Sequence, residues 1–504
     1  MLPYLRAGNE NSKKYTVAFR GLNWSEGYAD GDFSHCENVS AHQFPCVTQR
    51  FGRTVAGEFA GPSALLTKEG LVVIHGTQVV YNGKVVGSVT EGRKQMAVVG
   101  KYVVIFPDKT YYDVDADVYG SMNASISATG AVFAGDSITI QGGSFPFRVG
   151  DAVTISGCAV AENNQTVIVR SVEGNVLGFY ENTFTATTEA GEIAVKREVP
   201  DLDFICECNY RLWGVHGNTI YGSKYSDPFN FQVFDGLAGD SYYIDVATEG
   251  AFTGCIPYSG HICFFKENTL HKLYGSKPSN FQIVTSQVCG VQAGSERSMC
   301  IINEALYYKG VGGVYAYAGG VPELVSDAFG TRRFSDACAA TDGSRYYISM
   351  EGEDGWQLMT YDVQRGLWLR EDGLHCVDMT RHEGAVYLLA ADGRLYRVDP
   401  EADRGEIPWS ITFCPFSETV NERKGYSKFH LRLELSAGAW IKVEMRRDYE
   451  QTWETIHTTH NQRARTVSIP VLPARCDSVE IRISGKGECL LRTFVREFHM
   501  GSDV

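Results

Sequence analysis

Between Asn209 and Pro400 one phrase is stated five times: a run of β-branched and aromatic residues, a tight polar or glycine turn, and a second such run. The copies read NYRLWGVHGNTIYGSK (209–224), SGHICFFKENTLHKLYGSK (259–277), NEALYYKGVGGVYAYAGG (303–320), GSRYYISMEGEDGWQLMTYDVQRGLW (343–368) and EGAVYLLAADGRLYRVDP (383–400). They begin roughly 40 to 50 residues apart, the period of one four-stranded propeller blade. Two weaker copies, EGLVVIHGTQVVYNGKVVG (69–87) and GKYVVIFPDKTYYDVD (100–115), precede them, the first with Asn82-Gly83 as a hairpin signal. Seven candidate units, some of them half-blades at most, predict six to eight blades.

The series is interrupted at 116–199, where short alternating runs such as DAVTISG and QTVIVRSVEG, with turns every eight to ten residues, predict an inserted small β-barrel or sandwich domain. It carries an excess of acids. Residues 401–406 (EADRGE) read as a linker. The strictly alternating KFHLRLEL and VEIRIS lie among seven or eight strands of a C-terminal β-sandwich over 401–504. Residues 1–62 are strand-poor and read as an extended N-terminal arm, ordered by packing on its own propeller or on a neighbour. The expected fold class is therefore all-β: a β-propeller, its first part at 63–115 and its second at 200–400, with one inserted domain and one C-terminal sandwich.

Size and composition agree. A chain of 504 residues outgrows a single core. Its 53 Gly, 27 Tyr and 26 Phe, without a long Ala/Glu/Lys/Leu run, leave little room for helix. No apolar run approaches the roughly 18 residues of a spanning helix, and the start lacks the apolar core of a secretion signal. Assembly in a cytoplasm, without stable membrane insertion, is expected. The 14 Cys fall mostly inside strand-like runs and read as reduced, buried small hydrophobes. A net charge of −14 argues against a broad basic grip on nucleic acid. Residues 405–504 are near neutral, so the acid excess lies upstream.

Catalytic signatures are absent from the blade turns. TDGSRYY (341–347) and SDPFNF (226–231) do not fit the Ser-x-Asp-x-Gly-x-Thr-Trp boxes of sialidase propellers. Cys206 and Cys208 share a strand face without a second ligand pair at zinc spacing, and His457/His460 lacks a helix. DADVYG and YADGDFS lack the closing Glu of a calcium loop. Neither a nucleophile elbow nor a phosphate loop occurs. No catalytic, cofactor or metal residue is assigned, and a carboxylate pair for glycoside hydrolysis stays open. Most aromatics alternate along strands and read as blade packing. Sugar stacking would instead use loop aromatics, where Phe229, Phe231 and Phe281 lie.

The paired blade endings YGSKYSDPFNF (221–231) and YGSKPSNFQ (274–282), with the opening FRGLN and GDFSHCENVSAHQFPCVTQRFGR, resemble virion proteins of tailed bacteriophages. The shared arm pattern is Asn38-Val39-Ser40, then Pro45, then Arg50 or Arg53. The architecture resembles the nozzle or packaged-DNA-stabilisation class that closes short tails. That resemblance implies a non-enzymatic structural protein in the virion tail, assembled in the host cytoplasm as a ring, six-fold by expectation. Its partners would be a head–tail adaptor, other tail proteins and DNA that passes without specific binding. Phe229, Phe231, Phe281, Asn38, Pro45 and Arg50 are the candidate interface residues. Acidic faces of the insert and propeller would line the lumen and repel phosphates. The alternatives are a carbohydrate-binding tail-tip or adhesin protein, with the sandwich holding glycan, and a propeller glycosidase.

Overall fold

The computed structural model describes residues 12–418, 423–460, 465–472 and 474–500. Its elements are β-strands and short 3-10 turns, with no α-helix among the described residues. The fold is an all-β propeller. Seven four-stranded antiparallel sheets are present among the described residues, and each repeated phrase supplies the two middle strands of one sheet. Arg345–Gly352 explains why the phrase is apolar throughout. Tyr346, Ile348 and Met350 enter one hydrophobic core while Tyr347, on the opposite face, enters another. A blade covered on both sides loses the polar half of the usual alternation.

The chain divides into two compact units, 59–296 and 12–58 with 297–500 among the described residues. The first unit holds four blades, whose leading strands Pro62–Lys68, Gln95–Val99, Phe204–Cys208 and Phe252–Tyr258 are successive neighbours. Between its second and third blades lies the inserted domain, an eight-stranded sheet from Ala124–Thr129 to Glu192–Arg197. That sheet closes over Phe133, Phe145, Phe147, Phe179 and Phe184. The insert is shorter than 116–199: Val118–Ser121 pairs with Thr110–Asp113 as the outer strand of the second blade. The turn between them passes through Asp117 at φ 54, a conformation that aspartate tolerates better than most residues.

The second unit holds three blades and the sandwich. Here residues 12–58 are not an arm. Ser12–Thr16, Val39–Ser40 and Val47–Gln49 join one sandwich sheet with Lys424–Leu435 and Cys489–Met500. Gly21–Leu22 and Asp32–Glu37 join the other, beside Pro408–Phe413. Gly52–Glu58 then pairs with Arg394–Asp399 and becomes the fourth strand of the last blade. These strands escape a sequence reading because they run two to seven residues, and most of them pair with residues hundreds of positions away. In the sandwich core Phe33, Phe413, Phe429 and Phe494 are fully buried, with Phe413 stacked on Phe494 at 5.3 Å. Each such ring contributes about 1.5–3 kcal/mol by leaving water.

Candidate functional site

The connection between the third and fourth strands of a blade is short almost everywhere. It spans two to seven residues in the first, second, fourth, fifth and sixth blades. In the third blade, 19 residues (223–241) separate Thr219–Gly222 from Tyr242–Asp245. This loop has a fixed shape because Arg211, itself buried, fills its interior. Arg211 Nη1 donates to the carbonyls of Ser223 (2.6 Å) and Asp240 (2.5 Å), and Nη2 to that of Ala238 (2.8 Å). Burial lowers the Arg211 pKa, while the nearby Asp240 charge works the other way. Tyr225 N donates to Gly239 O and Ser241 N to Val233 O, which brings the loop's two limbs together.

The same loop grips the inserted domain. Asn230, 1% exposed, donates through Nδ2 to Asp151 Oδ1 (2.9 Å) and accepts at Oδ1 from Ala152 N (3.1 Å). Arg197 Nη1 meets the other Asp151 oxygen at 2.7 Å, and Nη2 donates to Met122 O (3.0 Å). Phe229 packs edge-on against Tyr102 (5.0 Å) and Tyr111 (4.9 Å), with the Arg148 and Arg197 guanidinium groups each 5.4 Å from its ring centre. Phe229 and Phe231 are thus 3% and 5% exposed. The surface role expected for them gives way to packing in the core shared by the second and third blades, where Phe229 also meets Arg148 and Arg197 of the insert.

Beside this contact opens a cleft of about 950 Å³ between the insert and the third blade. Phe231 and Tyr221 lie at its blade side, and Thr154 and Thr166 face it from the insert. Thr154 Oγ1 is 2.9 Å from Thr166 Oγ1 and donates to Gln232 Oε1 (3.1 Å). The rim presents Phe234, 53% exposed, and Tyr243, 59% exposed, in edge-to-face contact at 5.6 Å. Glu181, Glu198, Asp201 and Asp235 supply carboxylates, against the single cation Lys109, which holds Asp201 at 2.7 Å. Of the loop aromatics singled out from sequence, Phe231 lines this cleft as a buried ring, while the exposed rings at its rim are Phe234 and Tyr243. Strand alternation cannot rank rings within a loop, whereas the loop's exceptional length was available as a signal.

The remaining candidates are structural. Phe281 is half-buried against Trp213 (5.4 Å) and Tyr242 (4.9 Å). Asn38 adopts φ 55, donates through Nδ2 to Pro408 O (2.9 Å) and accepts at Oδ1 from Arg50 Nε (2.6 Å). Arg50 lies 3.5 Å from Asp372, and Arg53 bridges Glu371 (2.5 Å) and Asp372 (2.7 Å). These contacts tie the N-terminal segment to the sixth blade. Pro45 is exposed, follows a cis peptide bond and accepts from Phe19 N at 3.1 Å. Cys206 and Cys208 share one buried cluster with Cys255. No group of three or more His, Cys, Asp or Glu side chains placed to hold a metal occurs among the described residues.

No family model and no curated protein matches the sequence. Among solved structures the chain is similar to BamB from Moraxella catarrhalis, at 8% identity over 69% of this chain and 97% of that chain, TM-score 0.29. It is similar to phage phi92 endosialidase, at 12% identity over 78% and 70% of the two chains, TM-score 0.25. Hsv2 from Kluyveromyces lactis gives 9% identity over 79% and 99%, TM-score 0.25. At these scores the likenesses carry no inference about activity.

Proposed function

We propose that the chain is a structural, non-catalytic component of a bacteriophage tail, a nozzle or head–tail closure protein that walls part of the genome-ejection conduit. The observation that carries the reading is the use made of the residues on which the phage resemblance rests. Asn38, Arg50 and Arg53 are committed to a buried hydrogen-bonded and ionic frame with Glu371, Asp372 and the Pro408 carbonyl. A frame fixed in this way suits a wall that must not yield when DNA moves past it. The insert adds charge of the appropriate sign, with Glu162, Glu173, Glu181, Glu192 and Glu198 all exposed. Acids on a lumen wall repel phosphates, so a genome slides without sticking. In this reading copies associate through heterologous contacts into a ring, next to an adaptor and other tail proteins in the virion.

Two-dimensional averaging of the purified protein, or of the particle that contains it, tests the proposal. The expected result is a closed ring with a bore wide enough for duplex DNA. A protein that stays monomeric both alone and in its particle overturns it.

A further inference from the structure

We propose that the cleft between the inserted domain and the 223–241 loop is a binding site for an uncharged oligosaccharide. Three independent features of the fold converge there. The loop is 19 residues where its counterparts are two to seven, and unstructured connections beyond roughly 12–15 residues usually carry function. It is nevertheless held rigid by Arg211 from within and by Asn230 from the insert, so its tip is presented in one shape. That tip exposes Phe234 and Leu237, while Tyr243 stands exposed on the adjoining strand, a set of apolar side chains that folding alone does not call for.

The chemistry of the cleft selects the ligand class. Its volume of about 950 Å³ lies within the roughly 300–1,000 Å³ of small-molecule sites, and its concavity suits a chain of few rings better than a protein face. The Phe234–Tyr243 pair offers an aromatic platform at the rim for the C–H face of a pyranose. Around it stand both donors and acceptors: the Gln232 and Asn123 amide nitrogens as donors, and as acceptors the Glu181 and Asp235 carboxylates and the Thr154 and Thr166 oxygens, whose own protons go to Gln232 Oε1 and to Thr154 Oγ1 respectively. Sugar hydroxyls, which donate and accept at once, use such a mixed set fully, whereas a cationic peptide would use only the acceptors. Two of the four acids are already drawn to cations, Asp201 to Lys109 at 2.7 Å and Glu198 to Lys196 at 3.6 Å, which weakens the pull on a basic ligand. The remaining carboxylates disfavour anionic glycans. The site lies between the insert and the third blade, not in the sandwich, and its occupancy does not depend on whether the chain walls a conduit.

The test is titration of the full chain with maltohexaose, cellohexaose, chitohexaose and a mannan, followed by saturation-transfer NMR, with octa-arginine as the cationic control. At least one neutral glycan is expected to bind. Tyr243→Ala and Phe234→Ala, both at exposed positions, should each weaken it at least about tenfold, as loss of an interface anchor does. Asp235→Asn should weaken it less. Absence of binding to all four glycans at millimolar concentration overturns the proposal. So does binding indifferent to both aromatic substitutions, or preferential binding of octa-arginine. If the two alanine variants change self-association and not glycan binding, the cleft is a contact between copies and the proposal likewise fails.

Discussion

Arg496 and Glu418 form an ion pair at 2.7 Å in which each side chain is only 1% exposed. The remaining guanidinium donors are also used, Nη1 on Thr16 Oγ1 (2.7 Å) and Nη2 on Asp30 Oδ2 (2.5 Å). Its face lies 3.8 Å from the Phe416 ring centre. Burial by itself would lower the Arg496 pKa, but the hydrogen bond and charge of Glu418, joined by Asp30, raise it. One residue near the end of the described chain thereby fastens the strand Ser12–Thr16 and the turn at Asp30 to the sandwich core.

Arg496→Met strips Glu418 of this partner inside the core and should cost about 3–5 kcal/mol, the usual penalty for breaking a buried pair from one side. Adding Glu418→Gln should recover part of the loss, since the buried carboxylate, held without Arg496 by Lys14 at 3.5 Å and the Tyr426 hydroxyl, is then gone. Urea unfolding midpoints measure both, with hydrogen exchange at Ser12–Thr16 as the local reporter. A loss below about 1 kcal/mol for the single variant would show that the pair does not hold the sandwich.

Arg211→Met should release the 223–241 loop while the third blade stays folded, because its contacts are to loop carbonyls at 223, 238 and 240. Each neutral carbonyl bonded to a charged donor is worth about 1.5–3 kcal/mol. The expected readout is faster amide exchange across 225–241 and greater proteolytic cutting there. Unchanged exchange in that segment would mean that backbone bonds alone set its shape.

Asn38 separates backbone strain from side-chain bonding. Asn38→Gly keeps the left-handed conformation but loses the bonds to Pro408 O and from Arg50. Asn38→Ala loses the bonds and also meets a backbone cost of about 1–2 kcal/mol. The alanine variant should therefore be the less stable by roughly that amount in a denaturant titration, and equal stabilities would exclude strain as a factor.

Acidification should weaken the 59–296 unit through His271. The imidazole is fully buried, with Nε2 3.0 Å from Thr248 Oγ1 and Nδ1 2.8 Å from Thr285 Oγ1. Burial first, and the Lys266 charge second, push its pKa from 6.5 down to about 4. Between those values the unfolded chain binds a proton that the folded chain refuses. Stability is thus unaffected above about pH 6.5 and falls as the pH drops through that window toward 4. His271→Gln should flatten the dependence of melting temperature on pH across it; an unaltered slope would assign the effect to other groups.

The blades could be read from sequence because each is local: a hairpin such as Tyr346 paired with Tyr361 closes over a few residues and repeats its signature seven times. The sandwich strands after Pro400 were visible for the related reason that Phe429, Leu431 and Leu433 alternate with side chains less deeply buried. Asp32–Glu37 and Val47–Gln49 were not, since six- and three-residue strands show little period and pair with residues 408–413 and 489–500. Which loop aromatics are exposed is not legible in the sequence for a different reason. Phe229 and Phe234 lie five positions apart in one loop, and only the path imposed by Arg211 and Asn230 buries the first and exposes the second.

The pairing of Gly52–Glu58 with Arg394–Asp399, and of Ser12–Thr16 with Cys489–Met500, also sets a schedule. A ribosome delivers the early strands hundreds of residues before the edges they complete. Until then Phe33 and its neighbours have no core to enter, and an unpaired strand edge stays open. The middle blades can settle as they emerge, whereas the last blade waits for residues 394–399 and the sandwich sheet for residues 489–500. Interrupted folding therefore leaves the early segment with an open sheet edge and exposed phenylalanines, a state prone to wrong pairing.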